Sequence, residues 1–186
     1  MGWTGPLRLL GVADFCLLAL LALCLYTDIR WKKIPNWATL PAVALGLGLN
    51  GIAGGWVGLR DSAIGLGVGF GALFLLFALG WMGGGDVKLM AAIGALMGFP
   101  FVLSALVYSV LVGGFIGLAV LVWRRRFFRT MKSIGLFLFG RLARAAPKYE
   151  LDRQAMEPIP FGIAIVIGTV WAGVMTRFGE PLWPLL

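Results

Sequence analysis

The strongest constraint on this chain is that apolar runs follow one another with hardly a charge inside them. Residues 9–26 carry only Asp14, residues 37–55, 62–82 and 101–123 carry no charged side chain, and residues 159–178 carry only Arg177. Runs of about twenty apolar residues, coiled as helices, match the ~30 Å hydrocarbon core of a bilayer. Lipid offers no partner to backbone N–H and C=O groups, so such runs must satisfy their own hydrogen bonds. Residues 87–98 form a shorter sixth segment. The expectation is an all-α polytopic membrane protein, a single domain over 1–186 with about six transmembrane helices at 9–26, 37–55, 62–82, 87–98, 101–123 and 159–178. A charged fraction of 13% and a mean hydropathy of +0.94 lie outside the range of soluble domains.

The first run resembles a secretory signal only superficially. Leu23 precedes Cys24 and no small-residue cleavage site follows, so a retained helix is expected. Cys16 and Cys24 lie eight residues, about 12 Å, apart along that one helix and cannot bridge each other. There is no CxxC pair and no histidine, which excludes a zinc ribbon and the usual Ser-His-Asp arrangement. Any acid–base chemistry falls to other side chains.

The bases assign the sides of the membrane. Arg30, Lys32, Lys33 and Lys88 follow spans one and three, and nine more bases lie between 124 and 153. Placing these loops in the cytoplasm puts thirteen of sixteen bases there, leaving Arg8, Arg60 and Arg177 opposite. Both termini then lie outside the cytoplasm. The net charge of +8 is accordingly topogenic and directed to anionic membrane lipid, not to nucleic acid, since no basic stretch is interleaved with a stacking platform. Within the cytoplasmic loop 124–158, Phe127, Met131, Ile134, Leu138 and Leu142 recur at helical spacing. That pattern predicts an interfacial amphipathic helix on lipid.

Three acids interrupt this frame. A carboxylate at membrane depth costs roughly 2.5–3.5 kcal/mol on insertion scales, so each needs a partner or a function. Asp14 lies in the outer part of the first run and faces either the bundle or a wet cavity. Asp28 ends the first run within Asp28-Ile-Arg-Trp-Lys-Lys-Ile-Pro-Asn36, where Arg30 or Lys32 offers an ion pair and Asn36, after Pro35, offers a cap to the next helix. Asp86 follows Gly83, Gly84 and Gly85, whose missing side chains allow a close approach by another backbone or a peptide. The helix after Asp86 spans only about 18 Å, so Asp86 is expected in a recess within the protein, where irregular backbone is tolerated.

Asp28 and Asp86 are 58 residues apart in the chain, yet the charge census puts both at the cytoplasmic boundary. Two adjacent carboxylates cannot both stay ionised, so the pair holds one proton. One carboxylate can then draw a proton from water while the other polarises a carbonyl. Lys88 either biases that proton or serves as a boundary cation.

The segments Asp28 to Asn36, Gly83-Gly-Gly-Asp-Val-Lys-Leu89 and Pro158-Ile-Pro-Phe-Gly162 resemble, in order and placement, the three motifs of the type IV prepilin peptidases, membrane aspartic peptidases of the GxGD class. The resemblance implies that Asp28 and Asp86 are catalytic and that no cofactor is used. It implies prepilins or pseudopilins as substrates, cut at the junction of a short basic leader on the cytoplasmic face of a prokaryotic membrane. Gly83, Gly84, Gly85, Lys88, Pro35 and Asn36 would shape the site, with Pro158 and Pro160 fixing the start of the last span. Glu150, Asp152 and Glu157 would receive the basic leader. Larger, bifunctional members carry two CxxC pairs in an N-terminal cytoplasmic region, which is not seen here, so N-methylation falls outside what the resemblance implies. The short form is more similar to the peptidases of tight-adherence pili or archaeal flagellin processing. A different class of reading, a small ion-coupled transporter with Asp14, Asp28 and Asp86 as a relay, uses the same acids, and a non-enzymatic secretion subunit would leave the motifs without a role.

Overall fold

The structure is a computed structural model that describes residues 11–80, 82–123 and 161–178. All regular structure among these residues is helical: α1 (Val12–Trp31), α2 (Asn36–Ala78), α3 (Gly84–Met97), α4 (Phe99–Trp123) and α5 (Phe161–Phe178). By length and composition α1, α2 and α4 qualify as membrane-crossing, and α5 is a shorter apolar helix. The predicted amphipathic helix of 124–158 lies outside the described residues, as do Pro158, Pro160, Glu150, Asp152 and Glu157. The chain divides into two compact units, residues 1–113 with 160–186, and residues 114–159. The candidate site lies in the first.

At 43 residues, α2 would be about 65 Å long if straight, twice the hydrocarbon core. Gly55 breaks it, with φ 58° and ψ −142°, a conformation that a side chain would resist. The two arms fold back on each other: a β-carbon at Gly58 would run into the backbone carbonyl of Asn50. Arg60 and Asp61, which fall between the expected spans 37–55 and 62–82, are helical, and the reversal is confined to the Gly55 break.

Both arms embrace α3, which is only 14 residues and about 21 Å long. From Leu89 to Leu96 every residue of α3 is buried, with Leu89, Met90, Ile93 and Leu96 almost completely enclosed. Lipid is as apolar as leucine, so inside a bilayer such a helix is held by close packing and hydrogen bonds. The sequence supplies both. Gly65 and Gly94 meet backbone to backbone, and Gly69 rests on Met90, so that no β-carbon fits at any of them. Of the two overlapping G-x-x-x-G spacings in this arm, Gly65 and Gly69 face α3, whereas Gly67 and Gly71 face open space. At the far end of α3, carbonyls left without intrahelical partners are capped from α2. Asn50 Nδ2 donates to the oxygens of Ala95 and Leu96, both at 3.1 Å, and Ser62 Oγ donates to Ala95 O at 2.5 Å.

These contacts predict that Asn50→Leu, which strands buried carbonyls, destabilises the solubilised protein by about 1–3 kcal/mol, and that Gly94→Val, which overpacks the crossing, costs a similar amount. Gly67→Ala, facing open space, should stay within about 0.5 kcal/mol. Thermal unfolding followed by fluorescence in detergent measures all three.

Candidate active site

Asp28 sits one turn from the end of α1. The helix closes at Lys32, whose left-handed φ of 50° turns the chain while its N–H donates to Asp28 O at 2.9 Å. The turn carries Ile34 onto the first turn of α3, where a β-carbon at Gly85 would lie 2.9 Å from that of Ile34. Gly85 therefore admits the loop that brings the end of α1 to the start of α3. Gly84 packs on the Phe77 ring, and Gly83 is the N-cap of α3. Asp86 is the third residue of α3, with Oδ2 turned back to within 3.5 Å of where a Gly83 β-carbon would lie. The positive end of the helix offsets part of the cost of a carboxylate there.

The two aspartates meet across α5. A β-carbon built on the buried Gly162 would lie 2.5 Å from Asp28 Oδ2, 3.0 Å from Asp28 Cγ and 3.5 Å from Asp86 Oδ1. The two oxygens are thus at most about 6 Å apart, the sum of the first and last of these distances. One water making two hydrogen bonds of about 2.8 Å spans that gap. Asp28 Oδ2 is buried and has no hydrogen-bond partner among the described residues. Both carboxylates line one notch of about 280 Å³, together with Lys32, Lys33, Ile34, Gly83, Gly84 and Gly85.

The remaining candidate residues take other places. Lys88 is exposed and donates to Asn36 Oδ1 at 2.9 Å, tying the N-terminal part of α3 to the first residue of α2. It makes no ion pair with Asp86, nor do Arg30 or Lys32 with Asp28. Asn36 is not the cap of α2; Pro35 holds that position in extended conformation. Asp14 is at the other end of α1, where Oδ2 accepts from Gly11 N–H at 2.9 Å and Oδ1 pairs with Arg177 of α5 at 3.0 Å. This pair and the contact of Gly162 with Asp28 lie fourteen residues apart on α1 and fifteen on α5, so they set one antiparallel register. No group of three or more potential metal-binding side chains occurs among the described residues. Reading the sequence overlooked Gly162 as a site residue, although it closes the third motif, and also the notch-lining Ile34 and Lys33.

The sequence profile described as the type IV leader peptidase family matches residues 15–118, a segment that includes both aspartates. Among curated proteins, a prepilin leader peptidase/N-methyltransferase of Aeromonas hydrophila is 29% identical over 167 residues, covering 82% of this chain and 47% of its own length. The protein of the same description from Bacillus subtilis (strain 168) is 30% identical, covering 83% and 52%. That of Pectobacterium carotovorum subsp. carotovorum is 35% identical over 187 residues, covering 95% and 55%. The chain spans about half the length of these relatives. No solved structure gives a significant match.

The packing of Ile34 on Gly85 yields a coupled prediction. Gly85→Ala should destabilise the protein by about 1–3 kcal/mol, and adding Ile34→Gly, which empties the space, should recover part of that loss. A double-mutant cycle on thermal stability reads the coupling, expected at 0.5 kcal/mol or more in magnitude, roughly.

Proposed function

Because the chain belongs to the type IV leader peptidase family, we propose that it is an aspartic endopeptidase that removes the short basic leader of type IV prepilins or pseudopilins, using Asp28, Asp86 and one water. The observation that carries this reading is the convergence of both carboxylates on Gly162 and on one notch. In the reaction, the ionised carboxylate takes a proton from the water as its oxygen attacks the scissile carbonyl, and the protonated partner gives its proton to the carbonyl oxygen. As the tetrahedral diol collapses, the carboxylate of the pair takes a hydroxyl proton from it, the C–N bond breaks, and the carboxyl protonated in the first step gives its proton to the departing amine. Because the two groups share a proton, acid and base are roles of the pair, not of one residue each.

The membrane arrangement follows the same reading. In this reading α1, the two arms of α2, α3, α4 and α5 would make six passes, and the positive-inside distribution supports a notch at the cytoplasmic face of a prokaryotic inner membrane. A pilin helix, itself apolar, brings its leader junction through the bilayer to this boundary. A notch of about 280 Å³ between Gly83 and Ile34 suits small side chains at the scissile bond. The relatives' names join peptidase and N-methyltransferase activities; the peptidase is the one proposed here, since the matched segment carries both aspartates. A three-carboxylate ion relay is disfavoured because Asp14 is engaged by Gly11 and Arg177 at the opposite end of α1.

Co-expression with a candidate prepilin, read as leader loss on a gel, tests the proposal. Asp28→Asn and Asp86→Asn should each lower processing by at least about a hundredfold while the protein remains in the membrane. Normal processing by either variant contradicts it.

A further inference from the structure

The Asp28 carboxylate has an unusual support. Its Oδ2 is buried without a hydrogen bond among the described residues, so no donor fixes its direction. What it touches is α5: the same oxygen lies where a side chain on Gly162 would begin, and Asp86 Oδ1 borders the same point from α3. The backbone carrying Gly162 is itself held. Phe161 packs its ring on Gly113 of α4, leaving no room there for a β-carbon, and the Asp14–Arg177 pair fixes the register of α5 on α1 from the far end. We propose that Gly162 is a positioning residue of the peptidase, its bare Cα forming the surface against which the Asp28 carboxylate rests and thereby setting the separation of the two aspartates. The inference rests on the dyad reading above and extends it to a residue outside the 15–118 family match.

A methyl group at 162 cannot share space with Oδ2 at 2.5 Å and Cγ at 3.0 Å, since carbon and oxygen in contact stay well beyond 3 Å. The backbone of α5 is pinned at both ends, so the free Asp28 side chain is what moves. The water then loses one of its two carboxylates. The rest of the notch lining, including Gly83, Ile34 and Lys33, is untouched. The signature is therefore loss of turnover without loss of binding.

The test is steady-state cleavage of a purified prepilin in detergent micelles by Gly162→Ala and Gly162→Ser, with Gly67→Ala and Gly71→Ala as controls at glycines that face open space. Turnover of the two 162 variants should fall by about ten- to hundredfold, in keeping with an ångström-scale misplacement of a reacting group, while KM stays within about twofold and the controls match the parent. A second readout needs no purification or activity. In a Cys16→Ser, Cys24→Ser background, cysteines replacing Asp28 and Asp86 are joined in whole membranes by a short bifunctional thiol reagent, and Gly162→Ala should remove most of that product. Parental turnover in Gly162→Ala, a change in KM alone, or an undiminished cross-link each overturns the positioning role. If the Asp→Asn variants are inactive in the same assay, the dyad survives that failure; if either still cleaves, both proposals fall.

Discussion

The structure depends on a short helix, α3, that is enclosed by the rest of the fold. It is about 21 Å long, less than a ~30 Å hydrocarbon core, and is wrapped by protein along almost its whole length. Hydrophobicity cannot do the wrapping, since lipid would serve an apolar surface equally well. Backbone contact at Gly65, Gly69 and Gly94 does it, with Asn50 and Ser62 closing the otherwise unpaired carbonyls at the far end. The opposite end is thereby left within the fold. There the chain places Asp86.

Everything else at that end serves to bring a second carboxylate to the first. Lys32 turns the chain after α1, Ile34 settles on the bare surface of Gly85, and Lys88 holds Asn36 so that α2 starts beside α3. α5 closes the arrangement from the side. Its pairing with α1 through Asp14 and Arg177 is a structural use of an acid, remote from the notch, that sets which residue of α5 arrives at Asp28. The residue that arrives is Gly162, which has nothing to put in the way. Two carboxylates within about 6 Å, a water-sized gap between them and a notch open to a peptide are the parts that proposed hydrolysis without metal requires.

Some of this could be read from residue order because it follows from one-dimensional rules. Apolar helices follow from the length of the apolar runs, and the expectation that Asp28 and Asp86 share one end follows from where Arg and Lys fall; the structure brings both to one notch. Other parts depend on choices that composition does not distinguish. Gly51, Gly54, Gly55 and Gly58 are neighbours in sequence, and residue order does not say that the break of α2 falls at Gly55. Asn36 has the chemistry of a cap, but Pro35 takes that position and leaves the amide oxygen to Lys88. Asp14 and Arg177 are 163 residues apart, and no local rule joins them. Gly162 was visible as the last residue of a motif, whereas its meaning needed the two oxygens that lie against it.

The central claim is that Asp28 and Asp86 behave as one ionising unit. Titration of carbon-13-labelled aspartate carboxyls by NMR in the solubilised protein tests it most directly, comparing the parent with Asp28→Asn and Asp86→Asn. A coupled pair predicts two linked steps, with the remaining aspartate titrating differently once its partner has been replaced. If each aspartate keeps its parental titration in the absence of the other, the two do not share a proton and the account is contradicted.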